Sequence, residues 1–140
     1  MLRSAKEIMA LWQEKGQTIA TMALQEEIQE SGRSEAEIRQ ELLYSWQVMK
    51  DSATRPLKED EWRGQIIGGE APKVWKHYQD GHSIAGPTMS RAAAYALSAS
   101  VTNAAMGKIV AAPTAGACGV LPAVLLTLQD DHGFSDETAV

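Results

Sequence analysis

The segment with the most chemical content is Pro113-Thr114-Ala115-Gly116-Ala117-Cys118-Gly119, a glycine-bearing loop that holds the one cysteine of the chain and runs into apolar sequence. A loop feeding a helix N-terminus presents backbone amides and the positive end of a helix dipole, which favours an anion such as a carboxylate or phosphate. Gly116 and Gly119 permit positive φ values and a close approach of ligand to backbone. The Gly-Lys-Ser/Thr ending of a Walker loop is missing, and the spacing and preceding strand of a dinucleotide fingerprint are absent. Taken alone, the loop reads as an anion site beside a thiol; the plain alternative is a cysteine buried as a small hydrophobe. Other polar candidates are fewer. Asn103 stands at the edge of an alanine-rich stretch, and His82 and Ser83 open the small-residue part of the chain. His77, beside Lys76 and Tyr78, reads as a surface or packing residue, and Asp130-Asp131-His132 before Gly133 reads as a polar helix end in preference to a metal site.

The elements that hold these residues fall into two materials. The first eighty residues carry a charge every few positions, whereas from Gly81 to Gln129 only Arg91 and Lys108 are charged, and Ala, Gly, Ser and Thr dominate. Small uncharged residues let helix backbones approach closely, so the second part is expected in the interior. The 140 residues suffice for one real core. A net charge of −5 argues against nucleic acid or an anionic membrane surface as partner. One cysteine forms no intramolecular disulfide and cannot alone complete a zinc ribbon or an iron–sulfur site. With no secretory pattern at the N-terminus, a cytoplasmic location is expected.

Helix signals dominate the charged part. Ser4 to Glu7 has the form of a capping box, followed by Ile8, Leu11 and Trp12 at helical spacing, with Gly16 as the stop. A second helix is expected over about residues 18–30, with Ile19, Met22, Ala23 and Leu24 inward, ending near Gly32. Ser34 to Glu37 is another capping box, opening a longer helix with an Ile38, Leu42, Trp46, Met49 stripe. Pro56, Gly64, Gly68 and Gly69 then break the pattern, and 53–69 reads as a connecting loop. Pro72 suits the first turn of a short helix ending by Gly81, and Gly86-Pro87 opens another that runs toward Asn103 and Met106. The uncharged run from Ile109 to Gln129 has the length of a membrane span, but Pro113, Gly116, Gly119 and Pro122 argue instead for a buried loop and a core helix over about 120–128. The expected fold is all-α. Amphipathic helices fill 1–52, and 70–140 forms the front part of a small-residue-rich helical core.

The stretch from Asn103 through Met106-Gly107-Lys108, Pro113-Thr114-Ala115-Gly116-Ala117-Cys118-Gly119 and Pro122 to Leu125 resembles the signature of the iron–sulfur-dependent L-serine dehydratases, in particular their α subunit or catalytic domain. The similarity extends to Gly86-Pro87-Thr88 and, more weakly, to Gly68-Gly69-Glu70-Ala71. The resemblance implies an all-α catalytic domain that holds a 4Fe–4S cluster through three cysteines, with one iron left open for substrate. Cys118 matches the first of those cysteines, and the other two are expected downstream, in sequence this chain does not contain. With one ligand the chain by itself is not expected to assemble the cluster or turn over serine.

The implied reaction is β-elimination of L-serine to pyruvate and ammonia, with the cluster as Lewis acid at the β-hydroxyl. Cys118 would be the metal ligand. Thr114, Ala115, Gly116 and Ala117 would hold the substrate carboxylate, Asn103 would bind substrate or brace the loop, and Ser83 is a further substrate-binding candidate. The base is expected in a β subunit or β domain of the same enzyme, and an oligomeric assembly is expected. Two other readings stand beside this one: a helical interaction module in which Cys118 is inert, and a dehydratase or desulfidase for another β-substituted amino acid.

Overall fold

The computed structural model describes residues 4–58, 66–114 and 116–140. Its seven described helices, with no strand among the described residues, make the chain all-α as expected. The chain divides into two compact units, residues 1–42 and 43–140.

In the first unit, side-chain caps and left-handed glycines set the helix ends. Helix α1 (Ala5–Lys15) begins where the Ser4 hydroxyl accepts the Glu7 N–H at 3.3 Å, and it stops at Gly16, whose φ of 62° lies in the left-handed region. Helix α2 (Ile19–Ser31) repeats the device with Thr18, which accepts from Thr21 N–H at 3.2 Å, and with Gly32. Met22 is buried, but Ile19 is 68% exposed and Ala23 is also exposed. Ile19 occupies the first position of the helix, ahead of its packed stretch, so the inward set is narrower than the spacing suggested. Ser34 and Glu37 form a reciprocal box. Ser34 N–H donates to the Glu37 carboxylate at 2.9 Å, and Glu37 N–H donates to Ser34 Oγ at 3.3 Å. Donation from the Ser34 backbone and hydroxyl holds the Glu37 carboxyl below its ordinary range. Arg33 pairs with Glu27 at 2.7 Å and with Glu41.

Helix α3 (Glu35–Lys58) continues past residue 53, so the expected loop begins later than its breaker residues suggested. Gly64 and the acidic run at 59–61 lie outside the described residues. The reason for the longer helix is visible at Pro56. Proline has no N–H to give the carbonyl four residues back, here Ser52, and an unpaired buried carbonyl opposes helix continuation. The Ser52 carbonyl instead accepts from the Thr102 hydroxyl at 2.8 Å, and the Ser98 hydroxyl stands at 3.5 Å. Both donors belong to helix α5 (Pro87–Ala104), and Pro56 is fully buried. A breaker in sequence is thus a joint between two helices in space.

Helix α5 is the axis of the second unit. Ala94, Tyr95, Ser98, Ala99, Val101 and Thr102 are all buried, as its composition of small residues requires of a helix with neighbours on several sides. Helix α4 (Glu70–Gln79) packs on it through Trp75, whose ring centre lies 5.5 Å from that of Tyr95. Helix α6 (Ala117–His132) packs along another side, and Trp46 and Ala53 of α3 join Tyr95, Ala123 and Leu126 in one core cluster. The short helix α7 (Asp136–Ala139) is fastened by Asp136, which accepts from Trp46 Nε1 at 2.9 Å, Gln47 at 2.8 Å, Gln129 at 3.0 Å and the Lys50 ammonium. These donors, Lys50 foremost, hold the Asp136 carboxyl far below the ordinary carboxylate range. No helix among the described residues is long and apolar enough to cross a membrane.

Candidate functional site

The site of interest lies where α5 ends and α6 begins. The two helices run antiparallel. Arg91, early in α5, reaches Asp131 and the Thr127 carbonyl late in α6, whereas Gly119 at the start of α6 meets the Ala96 carbonyl and Ser100 hydroxyl further along α5. A Cβ on Gly119 would stand 3.1 Å from Ala96 O, tight enough that the α5 backbone would have to give way by a few tenths of an ångström. Gly119 is therefore a glycine for helix-on-helix contact, not for ligand approach. Gly116, with φ −73° and nothing within 4 Å of a would-be Cβ, also lies outside the left-handed region. Neither glycine uses the positive φ it permits; at this end of the helix pair that conformation is taken by Met106.

Met106 closes α5. Its N–H donates to Asn103 O at 3.0 Å, and Gly107 N–H donates to Thr102 O at 2.8 Å, the bond pattern of a Schellman cap with the left-handed position filled by methionine (φ 60°). A side chain in that conformation costs about 1–2 kcal/mol relative to glycine, and the Met106 side chain is 93% exposed. Asn103 is exposed in the last turn of α5.

The loop residues Pro113, Thr114 and Gly116 are exposed, which corrects the expectation of a buried loop. Among the described residues of the second unit nothing folds over them, so they meet solvent. Thr114 organises the turn into α6: its carbonyl accepts Ala117 N–H at 3.1 Å and its hydroxyl accepts the same N–H at 3.3 Å. The Gly116 carbonyl takes the N–H groups of Gly119 and Val120, each at 3.1 Å. Cys118, half-buried, occupies the first turn of α6 between these bonds. Ala115 lies outside the described residues.

The structure therefore groups Thr114, Gly116, Ala117 and Cys118 on one turn, with Asn103 on the helix end at the same end of the antiparallel pair. Ser83 does not join them. Its hydroxyl pairs with that of Ser90 in the first turn of α5, about 20 Å along the helix from Asn103 at ~1.5 Å per residue. His77 and His82 are exposed neighbours with ring centres 6.3 Å apart, and His132 is exposed in the last turn of α6. Among the described residues no three His, Cys, Asp or Glu side chains are grouped to hold a metal ion. Cys118 is thus a single donor.

A cavity of about 160 Å³ borders the end of α5, lined by Val48, Asp51, Ser52 and Arg55 of α3 with Thr102 and Lys108. Lys108 also donates to the Tyr44 hydroxyl. The α3 residues escaped the sequence reading. Their signal was weak: a proline in an otherwise helical pattern, answered by Ser98 and Thr102 four residues apart on another helix.

Comparison with known proteins gives the site its context. Residues 14–140 match the family model described as serine dehydratase alpha chain. The chain belongs to that family. It is 40% identical over 139 residues to the L-serine dehydratase alpha chain of Peptoniphilus asaccharolyticus, a match covering 99% of this chain and 48% of the relative. It is 32% identical over 143 residues to the L-serine dehydratase of Streptomyces coelicolor, covering 99% of this chain and 30% of that protein. It is 33% identical over 127 residues to the L-serine dehydratase TdcG of Escherichia coli (strain K12), covering 87% and 28%. The chain spans about half of the alpha-chain relative and less than a third of the other two. No solved structure matches it.

Proposed function

We propose that this chain supplies part of an L-serine ammonia-lyase, and that Cys118 is one thiolate ligand of its 4Fe–4S cluster. The observation that carries the reading is the placement of the family-matched Cys118 in the first turn of α6, half-buried and beside an exposed loop. Cysteine thiolate is the donor such clusters take. One thiolate falls short of a cluster's donor set, so the remaining ligands belong to other polypeptide. When bound, the cluster supplies a Lewis acid for departure of the serine β-hydroxyl.

The chain's own residues then hold and orient. Thr114 fixes the turn that presents Cys118, and the exposed Thr114 and Gly116 leave room beside it for a carboxylate of substrate. Asn103, exposed at the facing helix end, offers an amide for substrate or loop. In the overall reaction a base removes the Cα proton, the bond from Cβ to the hydroxyl oxygen breaks, and the aminoacrylate tautomerises to an imine that water converts to pyruvate and ammonia. The base belongs to a β subunit or β domain, in a cytoplasmic oligomer.

The test uses the complete enzyme, reconstituted anaerobically with iron and sulfide and assayed for cluster absorbance and for pyruvate from L-serine. Cys118→Ser is expected to abolish both while far-UV circular dichroism keeps its helical signal. An intact cluster with full turnover in that variant overturns the ligand assignment and leaves Cys118 as an inert packing residue. A panel of β-substituted amino acids, each assayed for elimination, then separates serine from other substrates.

A further inference from the structure

From Ala117 to Leu128 helix α6 carries no charged side chain on any face. Gly119, Pro122, Ala123, Leu126 and Thr127 are buried on its inner face. On the other side Val120 is 57% exposed, Leu121 44%, Val124 46% and Leu128 39%. At about 100° per residue these four fall within one arc of roughly 100°, a continuous outward stripe. The helices that face water in this chain carry a charge in nearly every turn, whereas α6 has none before Asp130. A helix apolar all round is a core helix, and four adjacent aliphatic side chains in water mark a surface made to be covered.

We propose that the outward face of α6 is a docking surface, and that its occupant is the half of the serine dehydratase alpha chain that the alpha-chain relative carries and this sequence does not match. Nearly all of this chain, 99%, aligns with only 48% of the Peptoniphilus asaccharolyticus alpha chain. The relative therefore brings about as much polypeptide again to a single alpha chain, and a face without charge is the surface such a second half needs. Val120 and Leu121 follow Cys118 by two and three residues, so polypeptide seated here arrives beside the thiol. That last point rests on the proposed function; the docking itself rests on the apolar face and the length of the relative.

One pair of substitutions in two settings tests it, with no iron present. Val120→Asp/Val124→Asp is made in this chain alone and in a hybrid alpha chain in which this sequence replaces the matched portion of the Peptoniphilus asaccharolyticus protein. In the chain alone, the pair is expected to leave helical circular dichroism and the urea midpoint unchanged, because both side chains already meet water. In the hybrid, α6 amides are expected to exchange at least tenfold more slowly than in the chain alone, and the aspartate pair is expected to remove that protection. Equal exchange in both settings, or protection that survives the pair, overturns the proposal. So does sedimentation showing the chain alone as a dimer that the pair converts to monomer, which would make a second copy the occupant. Cys118→Ser is expected to leave hybrid protection unchanged, so failure of docking and failure of the ligand assignment are told apart.

Discussion

The two ends of the antiparallel α5–α6 pair are built on opposite terms. At one end every strong charge is answered within the chain. Arg91, with its side chain only 12% exposed, pairs with Asp131, donates to Thr127 O at 3.4 Å and lies 5.8 Å from the centre of the Tyr78 ring. Tyr95 donates to Asp130 at 2.8 Å, and burial with that bond pushes its phenol well above the ordinary range. Two atoms here fall short of ideal pairing: Arg91 Nε, 3.6 Å from Asp130, and Thr127 Oγ1 are buried without a hydrogen bond. At the other end the polar residues face solvent, an apolar helix face is bare and a methionine is held in a glycine's conformation. The first end is finished by its own sequence. The second bears Cys118 and leaves its polar and apolar groups to solvent.

The largest effect is expected from breaking the finished end. Arg91→Met keeps most of the stem's packing but strands Asp130 and Asp131 beside a low-dielectric surface. Removing one member of a largely buried charge network costs several kcal/mol when fully enclosed; with carboxylates about a third exposed, a loss of about 2 kcal/mol is expected in urea unfolding. The pH profile carries the sign. The hydrogen bond from Arg91 depresses the Asp131 carboxyl below its ordinary 3.8. A depressed folded value contributes stability above the unfolded value and loses it as pH falls through the folded one. The deficit of Arg91→Met relative to wild type is therefore expected to be full near neutrality and to shrink as the pH drops below about 4. A deficit constant from pH 7 to pH 2.5 would assign the loss to packing alone.

A smaller effect is expected where the unfinished end is anchored. Thr102→Val removes the 2.8 Å donor to Ser52 O and leaves a buried carbonyl with one distant hydroxyl, at a cost of about 1–2 kcal/mol. Pro56→Ala supplies an N–H in register with that carbonyl. In the Pro56→Ala background Thr102→Val is expected to cost less than about 0.5 kcal/mol, a coupling that a double-mutant cycle reads directly. Additive costs would show that Thr102 acts through its own helix and not through the Ser52 carbonyl.

The same joint shows what a sequence makes legible. Caps are local. Ser4, Thr18, Ser34 and the glycines at 16 and 32 meet partners within five residues, and each helix end fell where it was expected. Pro56 reads as a breaker in sequence because the carbonyl its missing N–H leaves open, that of Ser52, finds its donor fifty residues away at Thr102. Gly119 misled for a related reason, since its tight neighbour, Ala96 O, is on another helix. At the candidate site, a loop feeding a helix was legible from the motif, but α6 begins at Ala117, ahead of the expected 120, so Cys118 lies in the helix; the cavity wall from α3 was not legible. Ser83 looked close to the motif in composition, yet helix geometry carries it to the far end of α5.

The smallest effect is the one that speaks most directly to the unfinished end. A left-handed methionine is less stable than glycine by about 1–2 kcal/mol in the folded state, while glycine gives back part of that through its freer unfolded chain. Met106→Gly is therefore expected to raise stability by about 0.5 kcal/mol, a shift of the urea midpoint. Met106→Ala keeps the strained backbone and drops a side chain that is 93% exposed, so it is expected to leave the midpoint unchanged. This pairing separates backbone from side chain. A rise with glycine and none with alanine locates the cost in the φ of 60° and shows that the cap would be more stable without its methionine.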